Sequence, residues 1–133
     1  MLKKAVVLTT LIIILVGCQA NPSAFSPDIA TTVEPSSANP VNVSDNDVNV
    51  TVTNKGQINA YDVKISIEAN GQTVEETVAK DISSGEEETM RFTKGEALTE
   101  FCTDQENTMT ASATPSVKDL NPENNDDSQR ITC

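Results

Sequence analysis

The chain has no histidine, no tryptophan, one tyrosine (Tyr61), three phenylalanines and five glycines in 133 residues. Each shortage excludes something. Without histidine, the usual general base and nucleophile-activating partner is missing, so serine- or cysteine-based catalysis lacks its central group. Zinc loses its imidazole ligands, and once the leader's Cys18 is set aside no third thiol completes a site beside Cys102 and Cys133. Carboxylates do cluster, at Glu75-Glu76, Glu86-Glu87-Glu88 and Asp126-Asp127. Neighbours on a strand point to opposite faces, so these pairs make no acid–base dyad and read as solvated charge. The sequence reads as that of a non-enzyme. Positive charge is scarce too: nine basic against twenty acidic side chains give a net charge of −11. Such a surface repels phosphate backbones and excludes nucleic acid as a partner.

What is there begins with the first eighteen residues. Lys3 and Lys4 precede an apolar run from Ala5 to Val16, interrupted only by Thr9 and Thr10. This is the charged n-region and short h-region of a secretory signal. Its end, Leu15-Val16-Gly17-Cys18, resembles a bacterial-type lipobox. The resemblance implies that residues 1–17 are a lipoprotein signal peptide and that Cys18 is lipidated and becomes the mature N-terminus. Two or more acyl chains anchor durably where one binds marginally. The same residues also fit release at a small-residue cleavage site, or an uncleaved anchor. The expected location is extracytoplasmic, lipid-anchored at the cell membrane or envelope surface. Removing residues 1–17 leaves seven basic against twenty acidic side chains, a net charge of −13. Anionic headgroups therefore offer no second hold, and the anchor acts alone.

With Cys18 assigned to lipid, Cys102 and Cys133 form an even pair in an oxidising compartment, so a disulfide is expected. Closing a loop of about thirty residues stabilises by roughly 3–4 kcal/mol on the chain-entropy account. A small, aromatic-poor core needs such a staple.

Residues 18–40 read as the lipidated cysteine and a linker. Pro22, Pro27, Pro35 and Pro40 fall there among Ser, Ala, Thr and Asn. That composition predicts a semi-extended spacer, a stalk between bilayer and domain. From Val41 the period becomes two. Val48, Val50 and Val52 alternate with Asn49, Thr51 and Thr53, and Val63, Ile65, Ile67 and Ala69 alternate with polar neighbours. Asn70-Gly71 signals a hairpin, with Thr73 to Ala79 returning. There Glu76 shares the parity of Val74 and Val78, which predicts an edge strand or a bulge. Met90 and Phe92, then Met109, Ala111 and Ala113, then Ile131 and Cys133 supply inward positions for three more strands. Gly95 to Phe101 allow one short helical turn. The expectation is an all-β chain, with residues 41–133 an antiparallel immunoglobulin-like β-sandwich of about seven strands.

Three motifs carry a family resemblance. Val48 to Gly56 opens the domain with Val-Asn-Val-Thr-Val-Thr-Asn-Lys-Gly, Gly85-Glu86 precedes the Thr89 to Phe92 strand, and Asn121-Pro122-Glu123-Asn124-Asn125 precedes the last strand. Together they resemble the CARDB domain, a cell-adhesion-related immunoglobulin-like module of prokaryotic surface proteins. The resemblance implies the sandwich and a surface location, and supplies no catalytic residues. The usual acidic run before Glu-Asn-Asn is reduced here to Asp119-Leu120, and the cysteine pair is not a general trait of the family. Locally, Asn54 and Gly56 suit a turn, as does the Asn-rich segment 121–125.

Calcium is the one cofactor with candidate ligands. Oxygen donors gather at Asp45, Asn46 and Asp47, and again at Asp119, Asn121, Glu123, Asn124, Asp126 and Asp127. A hard cation takes six to eight such oxygens. The two groups would form a site if the loop before the first long strand met the loop before the last. Asn42-Val43-Ser44 and Asn49-Val50-Thr51 are glycosylation sequons, relevant only in a glycosylating host. The expected function is adhesion, or binding of a protein or envelope polymer, through loops or an exposed edge such as Thr73–Ala79. The alternative is a structural subunit of an envelope complex or surface filament assembled by sheet-edge pairing.

Overall fold

The computed structural model describes residues 25–35, 40–94, 98–102 and 105–133. The leader, Cys18 and residues 19–24 lie outside the described residues. Strand β1 is Ile29–Glu34, β2 Val41–Asn42, β3 Val48–Asn54, β4 Lys64–Ala69, β5 Gln72–Thr77, β6 Glu87–Phe92, β7 Asn107–Thr114 and β8 Asp126–Thr132. They form a three-stranded sheet in the order β1-β3-β6 and a five-stranded sheet in the order β2-β8-β7-β4-β5. All pairings are antiparallel except the short parallel contact of β2 with β8. The two sheets face each other as an all-β sandwich. Among the described residues no helix is long and apolar enough to cross a membrane.

The alternation that predicts the strands also builds the core. Val48, Val50 and Val52 of β3 are fully buried, while Asn49, Thr51 and Thr53 are half-buried on the other face. β-Branched residues fit both faces of a pleated strand, and on the outer face Thr51 shares a 2.8 Å hydrogen bond with Thr89 opposite it. Ile65 and Ile67 of β4, Met109, Ala111 and Ala113 of β7, and Ile131 of β8 complete the interior. Asn70 and Gly71 hold φ of 50° and 73°, the two positive values a primed hairpin turn requires, so the β4–β5 register closes at Ala69 opposite Gln72.

The expected linker over residues 18–40 is corrected. Residues 29–34 are a core strand, and the sandwich has eight strands where about seven were expected. Ile29 and Val33 are fully buried and Thr31 nearly so, on the inward face of β1. β1 pairs along its whole length with β3 and packs across the sandwich against β7 and β8. Pro27 and Pro35 flank the strand rather than interrupt it. The domain therefore starts well before Val41.

The parity argument for Glu76 resolves in favour of an edge. β5 is the outermost strand of the five-stranded sheet, and Glu76 is exposed although it shares the inward parity of Val74. Three strands cannot cover five, so the inner face of β5 lies past the end of the opposing sheet. The short helical turn expected between Gly95 and Phe101 is present as a 3-10 turn over Thr99–Phe101. It inserts Leu98 and Phe101, both fully buried, into one end of the core.

Candidate functional site

Asn54 ends β3 with its side chain fully buried, and all four of its amide bonds are made. Its Oδ1 accepts from the backbone N–H of Asp28 (3.3 Å) and Gly56 (3.0 Å). Its Nδ2 donates to the carbonyls of Ile58 (2.7 Å) and Ile82 (2.9 Å). The expected turn at Asn54–Gly56 is present, but the glycine serves space rather than positive φ. A Cβ on Gly56 would lie 2.6 Å from the backbone nitrogen of Asp28 and 2.8 Å from Pro27 Cα. The chain entering β1 thus passes directly over this turn.

Three of the acidic candidates, Asp47, Asp119 and Asp127, are occupied by backbone amides and a guanidinium. Asp119 is buried; it accepts from Ile29 N–H at 2.8 Å and Asn121 N–H at 2.7 Å. Asp127 accepts from Val33 N–H at 2.7 Å. Asp28 N–H and Lys55 N–H bond across to β3 and β1 respectively, so the alternation of the antiparallel ladder turns the amides of Ile29 and Val33 outward. The two carboxylates therefore cap the free edge of β1. Asn124 Nδ2 donates to Asp28 Oδ1 at 2.8 Å and Asn125 Nδ2 to the Ala113 carbonyl at 3.0 Å, stapling the last turn to the first strand and to β7. Asn121 flanks the 3-10 turn Pro122–Asn124, and Glu123 and Asp126 are exposed.

Asp45 and Asp47 sit elsewhere. Asp47 is ion-paired with Arg91 and accepts from Lys94 N–H at 2.8 Å, and Lys94 Nζ donates to the Asp45 carbonyl. The Lys94 amide first, and the Arg91 guanidinium second, hold the Asp47 carboxyl below its ordinary value. Its stabilising contribution is present at neutral pH and is lost as pH falls through that lowered value.

The two acidic loops, whose meeting a calcium site would need, lie apart. Asp47 precedes the first residue of β3, whereas Asp119 bonds Ile29, which pairs with the last residue of β3. Seven residues of strand separate them by about 20 Å. Among the described residues no three His, Cys, Asp or Glu side chains converge on a metal position. Melting in millimolar calcium and in chelator is expected to give the same Tm; a rise of several degrees with calcium would restore the site.

Cys102 and Cys133 are bonded, with Cα atoms 5.6 Å apart and a sequence separation of 31. The bridge ties the segment between the 3-10 turn and β7 to the end of β8, as expected from the cysteine count.

Two concave regions stand out among the described residues. One, of about 450 Å³, lies under the Pro115–Asp119 loop against Pro122 and Asn125. The other, of about 270 Å³, lies between Val78 and Ala79 on one side and Glu88 to Arg91 of β6 on the other, beside the Lys80–Glu88 ion pair. There the chain leaving β5 approaches β6, so the free edges of both sheets open on the same flank. The edge is legible in the parity of Glu76 but this groove is not, because the overhang of five strands past three is a property of topology alone.

An immunoglobulin-like sandwich, closed by carboxylates on one flank and open on the other, is the class of domain these elements define. The CARDB family profile matches residues 26–129, and the chain belongs to the CARDB family. The chain is similar to the CARDB domain of a Pyrococcus furiosus protein, solved as a crystal structure described as in complex with di-metal ions. That match has 21% identity and a TM-score of 0.60, covering 82% of this chain and 90% of that chain. A solution NMR structure of the same Pyrococcus domain gives 20% identity and a TM-score of 0.61, covering 80% of this chain and 94% of that one. No curated protein gives a significant match.

Proposed function

We propose that this chain is a non-catalytic recognition module, held at a cell-envelope surface by lipid on Cys18, that takes a protein or envelope-polymer partner through the free edge of β5. The observation that carries the reading is the contrast between two edges. Asp119 and Asp127 cap the outward amides of β1. On β5, Val78 N–H bonds Val63 at 2.8 Å, so alternation turns the amides and carbonyls of Thr73, Glu75 and Thr77 away from β4. Among the described residues no side chain caps them. An extended segment can add there as a further strand, with its side chains reaching the groove beside Met90.

Assembly of identical chains through this edge is the less favoured reading. Two antiparallel β5 strands would set Glu75 and Glu76 against their counterparts, and like charges directly opposite destabilise a ladder. The metal ions named for the Pyrococcus domain are not carried over, because Asp119, Asp127 and Asp47 are already held by amides and by Arg91, and among the described residues no three acidic side chains converge.

The test is crosslinking and affinity recovery from intact cells with the natural chain and with Thr77→Pro. Proline removes an outward N–H and leaves the β4 ladder whole, so Tm is expected to stay within a few degrees. Partner recovery is expected to fall at least tenfold. Undiminished recovery would move the binding surface off β5.

A further inference from the structure

Four large apolar side chains are conspicuously exposed among the described residues: Phe25 (64%), Tyr61 (45%), Val117 (43%) and Leu120 (42%). They come from three different loops, yet they share one end of the sandwich. Leu120 N–H donates to the Pro27 carbonyl at 2.7 Å, which places the loop after β7 beside the entry to β1. Ser116 donates both its N–H and its hydroxyl to the Tyr61 carbonyl, which ties the same loop to the entry of β4. The Cys102–Cys133 bridge lies at the opposite end, where Cys102 adjoins Ser44 and β8 finishes.

The charge at this end is also distinctive. Lys64, Lys80, Arg91 and Arg130 are ion-paired with Glu75, Glu88, Asp47 and Glu106. Lys94 Nζ bonds the Asp45 carbonyl. Among the described residues only Lys55 and Lys118 have ammonium groups with no ion pair or hydrogen bond, and both belong to the apolar end. Two of the carboxylates there, Asp28 and Asp119, are turned onto amides; Asp62, Glu86, Glu123 and Asp126 stay exposed around the rim.

This is also the end by which the chain arrives. Cys18 and Phe25 are seven residues apart, a reach of at most about 25 Å. A lipid on Cys18 would therefore keep this end within about 25 Å of the headgroups. We propose that the Phe25–Tyr61–Val117–Leu120 end of the sandwich rests on the bilayer. In this arrangement the four apolar side chains enter the interface, and Lys55 and Lys118 extend to the phosphate level. Tyrosine and lysine suit that depth because each has an apolar body and a polar tip. The domain then stands end-on, with the disulfide end outward and the β5–β6 flank facing sideways, free for a partner. The arrangement rests on the lipid-anchored reading of Cys18, and it replaces a long stalk with a short leash.

The absence of tryptophan makes the test direct. Full-length lipidated protein carrying Leu120→Trp, Tyr61→Trp or, at the far end, Ser44→Trp is reconstituted into phosphatidylcholine vesicles containing brominated lipid. All three positions are surface-exposed, so folding should be preserved. Emission from the 120 and 61 reporters is expected to be quenched at least twofold, and emission from the 44 reporter to be unchanged. Equal quenching at all three positions, or none at any in a chain that stays on the vesicles, overturns end-on seating while leaving the anchor intact. Loss of vesicle binding in Cys18→Ser supports the anchor. Retained binding of Cys18→Ser with the 120 reporter still quenched supports the seating and removes the lipid from it.

Discussion

Loss of the Cys102–Cys133 bridge is expected to lower stability by about 3–4 kcal/mol, the chain-entropy value for a loop of this size. For a domain of roughly a hundred residues that is a fall in Tm of about 15 °C. The cost arises from what the bridge pins. Between β6 and β7 the chain leaves the sheets and returns through the 3-10 turn Thr99–Phe101, which seats Leu98 and Phe101 in the end of the core. Among its described residues no ladder holds that excursion; its anchors are the burial of those two side chains, the bonds of Lys94 to Asp47 and Asp45, one backbone bond from Phe101 to Leu98, and the disulfide. Without the bridge, the two apolar side chains, worth about 2–3 kcal/mol each, carry most of the hold on the 3-10 turn. Paired Cys102→Ser and Cys133→Ser substitutions, melted beside the reduced natural chain, measure the effect. Hydrogen exchange should speed first in residues 98–101 and at the end of β8. A Tm drop below about 5 °C in both samples would mean that the plug holds by itself.

Most of the sandwich was legible because its strands carry a strict period of two. β3, β4 and β7 alternate valine, isoleucine or alanine against polar residues, and Asn70-Gly71 marks its hairpin with the only turn chemistry that supplies two positive φ angles cheaply. β1 was not legible. Its inward positions are Ile29, Thr31 and Val33, only two of them strongly apolar, and they lie between prolines in a stretch whose average composition is that of a spacer. What makes it a strand is tertiary: seven-residue β3 offers a free edge, and Asp119 and Asp127, some ninety residues later, reach its outward amides. The same fact explains why the acidic residues read as calcium ligands. Sequence shows oxygen donors close together, but not that distant backbone N–H groups have already claimed them. The overhang at β5 was foreseen only as a parity conflict at Glu76, and it took the three-against-five sheet count to turn that conflict into an open flank. The apolar end was invisible in the same way, since Phe25, Tyr61, Val117 and Leu120 are scattered over ninety-six residues and converge only through the loops.

Asn54→Ala is expected to be among the most damaging single substitutions in the domain, at about 4 kcal/mol. The side chain is fully buried and its four bonds join three segments: the entry to β1 at Asp28, the turn at Gly56 and Ile58, and the bridge residue Ile82. Truncation leaves two amides and two carbonyls without these partners, those of Gly56 and Ile82 buried and those of Asp28 and Ile58 part-buried, and each buried orphan costs about 1–3 kcal/mol. Some of that is recovered if water enters the vacated space, which is why the estimate stays below the sum. Asn54→Asp separates hydrogen bonding from packing. It keeps the shape and both acceptor bonds, but sets a carboxylate oxygen against the Ile58 and Ile82 carbonyls, so at neutral pH it should cost at least as much as alanine. Near-native stability in Asn54→Asp would show that volume, not the paired donors, is what the site requires. The effect should also be felt at the surface. Asp28 then loses one of the bonds that fix Pro27 and Phe25 over the Gly56 turn, keeping those from Lys55 and Asn124, and one of the three loops of the apolar end is held less firmly. In the vesicle experiment, the Leu120→Trp reporter placed on an Asn54→Ala background is therefore expected to show weaker quenching at temperatures well below its own Tm.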